Sequence, residues 1–310
     1  MIFSFTFPED CPVKRLDAYL ALVMPDMTRS HLQKLIADGK ALCGGKTAKA
    51  GLKPKAGAEI TIDVPEPEPA EILPEDIPLD VLYEDSDLIF VNKPKGMVVH
   101  PAAGHERGTL VNALLFHCGS SLSGINGVMR PGIVHRIDRD TTGVLVACKN
   151  DRAHRAVAEQ LKEHSITRRY LAVVRGVLKN DEGTVDSPIG RDPSDRKRMA
   201  CGVRNGKRAV THYRVLERFQ EDTFIECTLE TGRTHQIRVH MASLGHPVLG
   251  DTVYGPAKCA VKVKGRPLEG QTLHAAVLGL IHPEDGRYIE VEAPLPEYFR
   301  DLIEKLTNQR

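Results

Sequence analysis

The sequence predicts an α+β protein. A small α/β module is expected over residues 1–64, an acidic Pro-rich linker over 65–77, and a larger domain over 78–310 built on a mixed, mainly antiparallel sheet. Three observations carry that reading. Strand-like and helix-like stretches do not alternate regularly, which argues against a parallel βαβ array. The front segment is basic and helical, whereas Pro65-Glu-Pro-Glu-Pro69 after it reads as a stiff, self-repelling boundary. A chain of 310 residues, 41% hydrophobic, is long enough for two ordinary domains.

Each element follows from local patterning. Leu16, Leu20 and Val23 recur at helical spacing within Arg15–Met24, which stops at Pro25. Thr28 is a good N-cap for a second helix with Leu32, Leu35 and Ile36 on one face and Gly39 beyond its end. Short strands are expected near Ala41 and over Glu59–Val64. From Arg29 to Lys55 there are seven Lys or Arg and one acid, whereas Pro65–Asn92 holds nine acids and no Lys or Arg. Val81–Val91 reads as strand-turn-strand about Glu84–Asp87. Asn150 or Asp151 caps a helix with Ala153, Val157 and Leu161 as its core line. A strand is expected over Tyr170–Val177, and Phe224–Glu230 alternates with Ile225, Cys227 and Leu229 on one face. Thr234 is the expected N-cap of a helix bearing Ile237, Met241 and Leu244, closed by Gly245-His-Pro247. A last strand near Tyr288–Glu292 precedes an amphipathic helix with Tyr298, Leu302 and Leu306.

Composition excludes several classes. With a net charge of +1 there is no global pull toward nucleic acid or anionic membrane, so any such attraction is local. The seven cysteines are scattered, with no C-x-x-C pair; with no basic-then-apolar leader, they predict a reducing cytoplasm. No apolar run approaches the roughly 18 residues of a membrane span. Neither G-x-x-x-x-G-K-[ST] nor G-x-G-x-x-G occurs, and no G-x-S-x-G elbow supports a serine nucleophile. His235 and His240 would lie about 140° apart on a helix, so with His246 they do not suit one metal. No cofactor and no metal are expected.

Three polar constellations remain. One is Pro131-Gly-Ile-Val-His-Arg-Ile-Asp138-Arg-Asp-Thr-Thr-Gly143, a polar loop leading into the apolar run Val144–Cys148. Another is Thr231-Gly-Arg233-Thr234-His235-Gln236-Ile-Arg238-Val-His240 around a helix start. The third is Arg168-Arg169-Tyr170, two cations beside an aromatic. Taken alone, Arg136 beside Asp138 is more often a surface ion pair than a reactive site.

Taken together, these segments resemble a known family. His135-Arg-Ile-Asp138-x-x-Thr-Thr-Gly143 resembles the catalytic signature of the RNA pseudouridine synthases of the large ribosomal and tRNA family. Val91-Asn-Lys-Pro-Lys-Gly96 with His100-Pro101, Arg168-x-Tyr170 with Val173-x-x-Gly176, Thr231–Met241 with Gly245-His-Pro247 and Gly250-Asp-x-x-Tyr254, and Leu273-His-Ala275 with His282-Pro283 extend the likeness. The family usually has Lys where Arg168 stands. Residues 1–64 resemble the S4 RNA-binding domain.

The resemblance implies that residues 78–310 are a catalytic domain that breaks the C1′–N1 bond of uridine, turns the uracil and rejoins it through C5. It places the essential aspartate at Asp138, as nucleophile or as base, with Arg238 as its partner, a pairing that lowers a carboxylate pKa. Tyr170 would stack on the uracil and could help remove the C5 proton. Arg136 would fill the gap left by the flipped nucleotide, beside His135. Asp140 is expected to fix the loop rather than react. RNA contacts are expected from Arg15, Arg29, Lys34, Lys40 and Lys46 in the S4-like module. More are expected from Arg196 and Arg198 in the basic Arg191–Arg208 stretch, and from Arg233, Thr234, His235 and Gln236. The expected partner is RNA, most of all large-subunit ribosomal RNA. Transfer RNA, a non-catalytic ribosome-assembly role and a carboxylate-based hydrolase are the alternatives; the last would want a second carboxylate about 5–10 Å away.

Overall fold

The computed structural model describes the chain apart from residues 66–71, 102–104, 120, 126–129, 196–197, 258 and 310. Most of the proline-rich stretch and Arg196 therefore lie outside the described residues. The chain divides into two units, Met1–Ala70 and Glu71–Arg310.

The first unit runs β1 (Ile2–Thr6), α1 (Leu16–Val23), α2 (Arg29–Ala37), β2 (Ala41–Cys43), β3 (Lys46–Thr47) and β4 (Glu59–Asp63). Its antiparallel sheet has the order β1-β4-β2-β3. The Thr28 hydroxyl caps α2 by accepting from the His31 amide. Leu16 and Leu20 of α1, and Leu32, Leu35 and Ile36 of α2, pack with Ile60 and Ile62 of β4. β1 was not expected, although Phe3 and Phe5 alternate with Ser4 and Thr6 and pack half-buried against the core. Buried Asp17 accepts from Arg15 Nε at 3.0 Å, Arg29 Nη2 at 2.9 Å and Gln33 Nε2 at 2.6 Å. The Arg15 bond, with those from Gln33 and Arg29, holds the Asp17 carboxyl well below the usual range against its burial. Arg15 and Arg29 thus have a structural task, and Lys40 pairs with Asp63 at 3.4 Å. Lys34 and Lys46 are exposed with no ion-pair partner among the described residues.

The second unit begins with the hairpin β5 (Val81–Glu84) and β6 (Leu88–Lys93), then α3 (Leu110–Cys118), β7 (Thr142–Cys148), α4 (Asp151–Lys162) and β8 (Thr167–Arg175). β9 (Glu182–Asp186), β10 (Ile189–Arg191), β11 (Met199–Cys201), β12 (Val210–Arg218), β13 (Asp222–Leu229) and α5 (Gln236–Ser243) follow. The chain ends with β14 (Lys262–Val263), β15 (Arg266–Pro267), β16 (Leu273–Ile281), β17 (Tyr288–Glu292) and α6 (Glu297–Thr307). One sheet orders β5-β6-β7-β16-β8-β13-β12-β9, with β17 also on β16. Among its described pairs only β7·β16 is parallel, so the sheet is mixed and mainly antiparallel. No helix of the described residues is long and apolar enough to cross a membrane.

Alternation along β8 separates two layers. Ala172 and Val174 pack with Ile237 and Met241 of α5, whereas Val173 packs with Phe299, Leu302 and Leu306 of α6. Helices α5 and α6 therefore cover opposite faces, and Tyr170, in phase with Ala172, belongs to the α5 face. β6, β7 and β16 are buried almost throughout, which is why β7 and β16 read as unbroken apolar runs without alternation.

The parallel junction of β7 and β16 pairs His274 with Thr142 and Ala275 with Gly143. Gly143 has φ 108°, and a Cβ there would strike the Ala275 backbone. Gly143→Ala should therefore lower unfolding stability by on the order of 3 kcal/mol. Chemical denaturation checks this, and an unchanged midpoint would contradict the junction's role.

Candidate active site

Gly143, Ala275 and Tyr170 stand side by side on β7, β16 and β8, and Cys227 of β13 stands beside Tyr170. Strands about 4.8 Å apart therefore bring the loop before β7 within reach of the middle of β8. The end of β13 hands the chain through Thr231–Arg233 to α5. Asp138, Arg168, Tyr170, Arg233 and Arg238 consequently line one hollow of about 340 Å³. A second hollow, of about 400 Å³, shares Arg136, Asp138, His235 and Arg238 with the first and adds His100, Asp140, Thr252 and Gln271.

Arg238 joins two carboxylates. Its Nε and Nη2 donate to Asp251 Oδ2 and Oδ1 at 2.6 and 3.0 Å, and its Nη1 donates to Asp138 Oδ2 at 2.8 Å. Burial would raise Asp251, but the Arg238 hydrogen bonds and charge outweigh it and hold the carboxyl below its usual range. The Val253 and Tyr254 amides add two donors to Asp251 Oδ1. The fork is thus fixed from behind, and its remaining edge holds one oxygen of Asp138. Beneath it, the Tyr254 ring lies 5.1 Å from the guanidinium carbon.

The other oxygen of Asp138 faces His235 Nε2 at 3.7 Å. Tyr254 Oη accepts from the Met199 amide at 2.9 Å and bonds His235 Nδ1 at 2.7 Å. An oxygen already accepting an amide proton offers its own hydrogen to Nδ1, which leaves the hydrogen on Nε2, toward Asp138. Burial lowers the His235 pKa, the neutral form this arrangement requires. His235 itself caps α5 in the left-handed region (φ 58°), so the helix begins one residue later than Thr234 would set it.

The loop after Asp138 is tied down from three sides. Lys93 Nζ, 1% exposed as a residue, donates to the carbonyls of Pro94, Met97 and Arg139 at 2.8–2.9 Å. Burial pushes its ammonium down to about 7, against the pull of Asp140 and Asp138. Thr142 Oγ1 bonds His274 Nδ1 at 2.8 Å, and Gln271 Nε2 donates to Thr141 Oγ1 at 3.1 Å. Lys93→Met should cut turnover about tenfold or more by loosening the Asp138 loop, a smaller loss than removal of a reacting group. Single-turnover rates beside RNA affinity check this; a wild-type rate would refute it.

Other expected site residues divide. Gln236 is corrected: at 3% exposure its amide donates to Val210 O and Thr211 Oγ1 and accepts from Thr231 Oγ1 and the Arg233 amide, so it builds the turn and has nothing left for RNA. His135 is redirected, because its Nε2 accepts from the Val146 amide at 3.1 Å and burial pushes its pKa down to about 3. It is a neutral strut from the loop to β7, not a phosphate cation. Arg136 and Thr234 are exposed at the rim. Arg233 lines the hollow while its Nε donates to Arg208 O, and Arg198 stacks 5.5 Å above Tyr254. His240 bridges Thr211 Oγ1 and Ser187 O, and His246 bonds Arg175 O, so they do not converge with His235. Sequence reasoning did not single out Asp251, Tyr254 or Lys93. The only available signal was their place in the Gly250-Asp-x-x-Tyr254 and Asn92-Lys93-Pro94 segments.

Comparison with known proteins gives this geometry a family. A model of the RNA pseudouridylate synthase family matches residues 87–243. The chain is 52% identical over 303 residues to the uncharacterized RNA pseudouridine synthase YlyB of Bacillus subtilis, covering 98% of this chain and 97% of that one. It is 47% identical over 306 residues to ribosomal large subunit pseudouridine synthase D of Zymomonas mobilis, covering 97% and 96%. Among solved structures, human RNA pseudouridylate synthase domain containing 1 superposes with a TM-score of 0.56 at 27% identity, over 78% of this chain and 97% of that one. The chain belongs to the RNA pseudouridylate synthase family.

Proposed function

We propose that this enzyme converts specific uridines of large-subunit ribosomal RNA into pseudouridine, with Asp138 as its essential group. The observation that carries the reading is the 2.8 Å bond from Arg238, itself gripped by Asp251, to a carboxylate at the junction of two hollows. One hollow, with Tyr170, is of a size for a flipped base; the other, with Arg136 exposed at its edge, suits the ribose and the strand left behind. In this reading Asp138 either bonds C1′ or takes a ribose proton, Arg238 holds it in place, and Tyr170 stacks on the uracil. Arg198, Arg233 and Thr234 meet the RNA backbone at the rim.

The large-subunit target rests on the relatives of that name, among them those of Zymomonas mobilis and Xanthomonas campestris. It also rests on reading Met1–Ala70 as an S4-like module. Two helices on an antiparallel sheet, with Lys34 and Lys46 exposed, suit phosphate contacts that add affinity without base readout. Free thiols at all seven cysteines suit work on ribosomal precursors in a reducing cytoplasm.

The test is incubation with unmodified large-subunit rRNA, without added cofactor, and mapping of pseudouridine by carbodiimide-dependent reverse-transcription stops. Stops at a few uridines of one stem-loop are expected. Stops on transfer RNA alone would overturn the target, and tight binding with no stops on either RNA would favour an assembly factor.

A further inference from the structure

We propose that Arg168 takes up the negative charge of the uracil ring once its bond to the ribose has broken. This inference rests on the pseudouridine synthase reading and adds to it a residue whose charge that reading leaves unexplained.

Arg168 is a buried cation without a counter-ion among the described residues. It is 6% exposed, its Nη2 donates to Glu230 O at 3.0 Å, and its Nε is sealed from solvent with no partner. No carboxylate pairs with it among the described residues. Its charged neighbours are unfavourable or neutral: Arg233 is another cation, and Tyr170 and His135 complete the surroundings. The contrast with Arg238, which meets two carboxylates, is sharp. A buried guanidinium without a carboxylate is costly to the fold, and among the described residues the Glu230 carbonyl is the bonded partner that offsets part of that cost.

The fold also makes room for this cation. A Cβ at Gly232 would lie 2.5 Å from Arg168 Nη1, so the guanidinium occupies the space beside the glycine of the Thr231-Gly-Arg turn. Arg168 stands two residues before Tyr170 on β8, hence on the same face, and both line the hollow that Asp138 enters. The missing negative charge therefore arrives with the ligand, next to the aromatic ring on which the base would stack.

The reaction generates such a charge. When C1′–N1 breaks, its electron pair leaves with N1, and the uracil anion spreads that charge over N1, O2 and O4. C1′ is compensated by a bond to an Asp138 oxygen or by loss of the C2′ proton to it. After the ring turns, the anion's electrons form the C5–C1′ bond while that Asp138 bond breaks or that proton returns to C2′. The C5 proton then leaves and N1 gains one, so atoms and charge balance. Bound uridine is neutral, so a cation beside O2 or O4 acts more strongly on the detached ring than on the substrate, and this difference accelerates the step. A planar fork with several donors can follow the ring as it turns.

The experiment compares full-length wild type, R168K and R168M on the stem-loop that wild type modifies. It measures single-turnover rate at saturating enzyme, RNA affinity across salt, and, with 5-fluorouridine at the target position, the rate at which the N1-linked nucleoside disappears from RNA digests, because fluorine at C5 blocks the final proton loss but not C1′–N1 cleavage. The fluorine makes the detached ring a less basic anion. R168M is expected to lose about 10²–10³-fold in rate with unchanged affinity, R168K to keep most of the rate, and the R168M loss to shrink on 5-fluorouridine. A purely structural role would slow both substrates equally. A phosphate contact would instead weaken binding, lower the salt slope by about one and leave the rate alone. Either result, or wild-type rates in R168M, overturns the proposal. Should R168M not fold, R168Q carries the same comparison. If wild type itself makes no pseudouridine, the functional reading fails first.

Discussion

Asp138→Asn is expected to abolish turnover, by on the order of 10³-fold or more, while RNA affinity and thermal unfolding stay close to wild type. The separation follows from the geometry. Asparagine keeps an acceptor for Arg238 Nη1, and Arg238 keeps both bonds to Asp251, so no buried charge is stranded. On the proposed reading, what is lost is the carboxylate that would bond C1′ or take a proton, which a neutral amide cannot do. Pseudouridine mapping, filter binding and a melting curve on one preparation decide it. Concurrent loss of turnover, binding and stability would mark Asp138 as a structural residue, and retained turnover would remove it from the mechanism.

Short-range signals made much of the fold legible. The Thr28 and Asn150 caps, the Asp85 turn and the apolar lines of α1, α2, α4 and α6 are each set by neighbours a few residues away. β16 is a different case. Its run Leu273–Leu280 is buried on both faces, so period-2 alternation vanishes, and its pairing with β7 spans some 130 residues of chain. The same division holds at the site. Asp138, Tyr170 and Arg238 stand in polar clusters that a reader can find. The partners Asp251 and Lys93 sit among apolar or loop residues, and their burial appears only when the chain has closed. Gln236 shows the converse error: a polar residue in a polar run reads as surface, yet all its hydrogen bonds turn inward.

Asp251 is where site and stability meet, and Asp251→Ala should be costly on both counts. Its side chain is fully buried, and it holds two of the three Arg238 donors that carry site bonds. Removing it takes the bidentate partner from a buried guanidinium and leaves it the bond to Asp138, a loss of about 3 kcal/mol, so the second unit should melt on the order of 10 °C lower. Turnover should fall as well, because a released Arg238 would turn its fork onto Asp138 and cover oxygens that the substrate needs. The acid side supplies an independent check. Asp251 has a folded-state pKa below its unfolded value, so its contribution is fully present above about pH 4 and is lost as pH falls through the folded value. Wild-type stability should therefore drop more steeply than that of the alanine variant below about pH 4, and the two curves should approach one another in acid. A variant that melts like wild type at neutral pH, or keeps a constant deficit down to acid, would show that Arg238 does not depend on Asp251 for its place beside Asp138.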